Sequence, residues 1–75
     1  MEDDPRMRRF NLVRKEDKTG VSGTGIVAEG VLFSTGKVVI AWITTYRSIA
    51  VYDSLAELIA IHGHEGTTAV FWVDQ

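Results

Sequence analysis

The sequence predicts a mainly β fold of five short strands, with one short helix before the last, in the order β-β-β-β-α-β. Three observations predict it. Apolar runs rich in Val, Ile and aromatics recur between short stretches bearing Gly, Ser and Thr, the pattern of strands and turns. A single stretch, Leu55 to Ile59, instead spaces its apolar residues i, i+3, i+4, the helical period. The chain has 75 residues and no cysteine, so it is one small domain without disulfides.

The elements follow in order. Residues 1–7 are charged, contain Pro5 and lack a period, which predicts a disordered tail before a single β domain over 8–75. Arg9 to Arg14 alternates Phe10 and Leu12 with Asn11 and reads as the first strand. Glu16 to Gly25 is polar and glycine-rich, a long loop. Thr24 to Phe33 and Lys37 to Thr45 are strands joined by Ser34-Thr35-Gly36, a hairpin with a glycine placed for positive φ. Tyr46-Arg47-Ser48 turns the chain into a fourth strand, Ile49 to Tyr52.

Ser54 then offers an N-cap with Glu57 three residues on, a capping box. Gly63 fits the left-handed position that ends a helix. Thr67 to Val73 is the last strand.

This order, with a long first loop and a hairpin ending in Ala41-Trp42, resembles an SH3-like small β-barrel. A strongly bent antiparallel sheet satisfies the same pattern. The resemblance implies a scaffold and no one function. A proline-peptide groove is not expected, because the first loop carries acids but no aromatic residue. Ser22-Gly23-Thr24-Gly25-x-Val27-Ala28-Glu29-Gly30, with Tyr52-Asp53-Ser54 and Ile61-His62-Gly63-His64, is similar to a small family of uncharacterised prokaryotic and phage-borne proteins. That resemblance implies a phage setting, in which sequestering a host nucleotide signal is an expected task.

Charge is unevenly spread. Six of eight Lys and Arg lie in residues 1–18, and the remainder carries two cations against five carboxylates, a net −3. An acidic body disfavours duplex nucleic acid, which needs a basic face. Arg8, Arg9 and Arg14 read as a solvated edge strand, or as a local patch for a weak RNA or single-stranded DNA binder. No apolar run reaches the ~20 residues of a membrane helix, and no secretory signal opens the chain, so a cytoplasmic protein with no membrane contact is expected.

Nearly every central strand position is apolar on both faces, whereas a half-buried strand alternates. A helix and barrel closure cover one face only. A homo-oligomer, a dimer or higher, is therefore expected to bury the other. A protein-interaction adaptor using that face is the alternative.

Three segments carry candidate binding residues. Around His62-Gly63-His64, imidazoles stand where the helix gives way to the last strand. His62 continues the buried stripe seven residues after Leu55, and His64 points away from it. In Gly20 to Gly25, Ser22 and Thr24 add hydroxyls to exposed backbone N–H groups. This run opens a strand and not a helix, so it is no dinucleotide fingerprint. On the third turn, Arg47 is the one arginine after residue 18, and Tyr46 beside it can stack on a ring. Trp42 and Trp72 read as core or interface.

No metal site and no cofactor is expected: two histidines and one carboxylate on a turn do not make a tetrahedral set. Catalysis is not expected either, since Ser22 with His64 lacks an orienting third member. The residues read together as a non-catalytic pocket for a small anionic, nucleotide-like ligand at an oligomer interface, built from Arg47, His64, His62, Ser22, Thr24 and Tyr46.

Overall fold

The computed structural model describes residues 6–15, 24–63 and 66–74. Five strands form one antiparallel sheet: β1 (Arg8–Arg14), β2 (Gly25–Leu32), β3 (Val38–Trp42), β4 (Ile49–Tyr52) and β5 (Thr68–Trp72). Helix α1 (Leu55–His62) lies between β4 and β5 in the chain. The strand order is β4-β3-β2-β1-β5. The sheet is open, with β4 and β5 as its two edges, so the antiparallel sheet and not the closed barrel is the form adopted.

β1 is not the solvated edge its charges suggest. It pairs with β2 on one side and β5 on the other, and Phe10 sits opposite both Gly30 and Trp72. Its alternation sends Phe10, Leu12 and Arg14 to the inner face, all buried. Phe10 meets Trp72 edge to face at 5.5 Å, and Arg8 lies 3.8 Å over the same indole. Gly30 is required here. A Cβ at this position would run into the Phe10 ring, so the strand opposite must leave the space empty.

The β1–β2 register slips by one between Leu12 and Val13. Leu12 faces Ala28 and Val13 faces Ile26, so Val27 is the extra residue of a bulge. Strict alternation would place Val27 with Glu29 and Val31. The bulge instead buries Val27 and Ala28 together and turns Ile26 outward.

The hairpin forms as expected. Gly36 takes φ 94°, and its N–H donates to the Phe33 carbonyl. β3 stops at Trp42, short of Thr45, because the Trp42 N–H is answered by Ser48 O at 2.9 Å and the chain turns between them.

α1 crosses the inner face from the end where β4 stops to the end where β5 starts, packing on both. Ser54 Oγ accepts from Glu57 N at 3.0 Å, which caps the helix. Glu57 reaches back to Asp53 N rather than to Ser54 N. Leu58 is fully buried, contributing about 1.5–3 kcal/mol. Leu55 is half-buried and Ile59 exposed, so the stripe is narrower than its spacing implies. Gly63 caps the C-terminus in right-handed conformation (φ −68°), not left-handed, and its N–H donates to Ile59 O at 2.7 Å. A Cβ there would approach the same carbonyl at 2.5 Å, so close approach selects the glycine. Positive φ falls on Gly66 instead.

The core is Phe10, Leu12, Val27, Ala28, Val38, Ile40 and Leu58. Trp42 and Trp72 pack against it, half-buried. Among the described residues no helix is long and apolar enough to cross a membrane. Residues 6 and 7 are exposed and outside any strand, and the rest of the expected tail lies outside the described residues.

Candidate functional site

The antiparallel order decides which residues can meet. β1 and β3 finish, and β2, β4 and β5 begin, at one end of the sheet, here termed the upper end. The described residues of the segments singled out in the sequence lie towards that end. Thr24 precedes β2 and is exposed. Tyr46 and Arg47, on the β3–β4 connection, are exposed too, Tyr46 by 74 %. Ile43 N donates to Val27 O at 3.0 Å, anchoring the root of that connection beside the first residues of β2. α1 also ends on this side, just before β5 starts.

His62 is turned inward. Its Nε2 lies 2.7 Å from Tyr52 Oη, and its ring meets those of Trp42 and Tyr52 edge to face at 5.1 and 5.7 Å. Burial, then the nearby Glu57 carboxylate, raise the Tyr52 phenol above its ordinary 10.0. His62 thus packs against the core through Trp42 and Tyr52, whereas Tyr46 and Arg47 are exposed. Ser22 and His64 lie outside the described residues.

Arg14 was read in the sequence as part of a solvated strand and is instead 5 % exposed at the upper end of β1. It stands opposite Gly25 and Thr68, and its Nε donates to Thr68 Oγ1 at 3.1 Å. No carboxylate pairs with it among the described residues. A buried guanidinium is costly without an anion or full hydrogen bonding. Period two was the available signal: Phe10, Leu12 and Arg14 share a face.

The other arginines of β1 do not join it in a patch. Arg9 faces outward and clasps Asp74 with Nε and Nη2, each at 2.9 Å. Arg8 stacks on Trp72. The Arg9 hydrogen bonds hold the Asp74 carboxyl down at about 2, from an ordinary 3.8. Lys37 and Asp53 pair at 2.8 Å, which raises the amine and lowers the carboxyl.

A groove of about 550 Å³ lies elsewhere, on the outer face of the sheet. Arg9, Asn11, Glu29, Val31, Val39 and Ala41 line most of it, and none of the residues singled out for binding does. Its cation, Arg9, already shares part of its charge with Asp74, and its floor is apolar. The groove therefore offers shape and apolar surface more than an anion site.

No curated protein and no solved structure matches this chain. The model of one family, described as Acb5 phage protein, matches residues 7–74. That match spans nearly the whole chain, strands and helix alike, and the chain belongs to the Acb5 phage protein family.

Proposed function

We propose that the chain binds a small anionic, nucleotide-like ligand at the upper end of the sheet, in a recess completed by a second copy. The observation that carries this reading is that Thr24, Tyr46 and Arg47 are all exposed on chain connections at the end of the sheet where β1 finishes with the buried Arg14. An exposed guanidinium matches a phosphate in bidentate fashion, and an exposed phenol ring beside it can stack on a base. Buried Arg14, paired across from Gly25 next to Thr24, adds positive potential to the same end of the sheet. Ser22 and His64 join the proposal through their places in the chain, beside Thr24 and Gly63. His62 supports the site from below through Trp42 and Tyr52.

Family membership supports a phage setting, and sequestration of a host nucleotide signal is the task that fits a small binder made there. Thermal shift against a nucleotide panel tests the reading. A ligand at 100 times its dissociation constant raises stability by about 2.7 kcal/mol. Recovery of that ligand unchanged by chromatography separates binding from turnover. No shift with any nucleotide sinks the reading.

A further inference from the structure

We infer that the outer face of the sheet is where a second copy of this chain packs, face to face about a two-fold axis. The inference deepens the reading above by naming the surface that brings the copies together, and it needs no ligand to be tested. Ile49 and Val51 on β4 are 67 % and 68 % exposed, and Phe71 on β5 is 52 % exposed. They flank the groove floored by Val31, Val39 and Ala41. α1 covers the opposite face, so nothing within the described chain shields this one.

Size and charge select the occupant. Five strands of four to eight residues, at about 4.8 Å spacing and about 3.3 Å per residue, present roughly 450 Å² in projection. Side-chain relief brings this to the ~600 Å² per partner at which stable interfaces begin. An interface between identical patches must complement itself. A face of one charge sign would repel its own copy, but this one carries both signs. Arg9 and Glu29 point outward on neighbouring strands, with Arg9 opposite Val31 and Glu29 opposite Asn11. Glu29 has no ion-pair partner among the described residues. Arg9 donates to Asp74 yet its side chain stays 67 % exposed, and a guanidinium has five donors. A two-fold axis through the groove lets Arg9 of each copy meet Glu29 of the other, while the flanking apolar side chains enter the opposing groove.

Sedimentation equilibrium of the full chain at low micromolar concentration, without nucleotide, tests this. The expected mass is twice 8.3 kDa. Val39→Glu buries a carboxylate mid-face and should give a folded monomer, with circular dichroism reporting the fold. Glu29→Arg, at an exposed position that does not threaten folding, should weaken association at least about tenfold by leaving like charges opposed. Ile61→Glu, on the exposed side of α1, should leave the dimer intact. A wild-type monomer overturns the inference, as does a dimer indifferent to Glu29→Arg; either result points the face to a foreign partner or to none. Nucleotide binding lost in Arg47→Ala with the dimer intact concerns the ligand reading alone.

Discussion

Tyr52 Oη and His62 Nε2 stand 2.7 Å apart, joining the last residue of β4 to the last residue of α1. The bond ties an edge strand to the helix that covers the core. Tyr52→Phe should therefore lower stability by about 1 kcal/mol while keeping the ring packing. Denaturant unfolding measures this. The phenol is raised above 10.0 in the folded chain, so the native state keeps its proton to higher pH than the unfolded chain. Its contribution to stability is complete below pH 10.0 and falls as pH rises through the folded value. Ultraviolet titration should show one tyrosine with a late midpoint, absent in Tyr52→Phe.

Gly30→Ala should destabilise by about 1–3 kcal/mol, because the new methyl meets a fully buried Phe10 ring with nowhere to move. The paired change Gly30→Ala with Phe10→Leu should cost less than the two single changes added. Additive losses in a double-mutant cycle would break the proposed steric link.

Asp74 titrates low because Arg9 donates to both of its oxygens and the Arg9 backbone N–H to one of them. A depressed carboxyl stabilises above its unfolded value of 3.8, and that contribution is lost as pH falls through about 2. Carbon-detected NMR should place the Asp74 midpoint near 2 and, in Arg9→Ala, return it towards 3.8. An unchanged midpoint would deny the clasp.

Arg47→Ala should abolish nucleotide binding and leave the melting temperature of the unliganded protein where it was, since the side chain is exposed. Calorimetry and thermal melts read the two parts. Wild-type affinity in this variant would remove Arg47 from the site.

Much of this molecule was legible because local rules and global fold agree. Ile49 to Tyr52 and the Ser54 cap could be read directly, since each lies between unambiguous turn signals. The outer face of β3 and β4 is apolar, with Val39, Ala41, Ile49 and Val51, while β1 and β2 add Arg9, Asn11 and Glu29 to it. Thr44 and Thr45 favour a strand by propensity, yet the turn closed by the Trp42 N–H and the Ser48 carbonyl ends it early. The bulge at Val27 is likewise invisible locally, because any residue of that run could have been the extra one. The charges of β1 suggested an edge. Only the return of β5 places it inside the sheet, and that pairing spans most of the chain. Of the site, the residue types were legible but not their neighbourhoods. His62 was seen as a packed or a binding histidine, and the aromatic pair around it comes from two different strands.

The extra residue at Val27 acts as a phase shifter within β2. On its hairpin side, even-numbered residues from Ala28 onward point to the core, and on its loop side Ile26 does not. A length change in the preceding connection therefore reaches the pleat only as far as the bulge. The neighbourhood of Thr24 and Gly25 can drift through insertion or deletion while Ala28, Gly30 and Leu32 keep their orientation, which leaves the rim free to diversify over an unchanged interior.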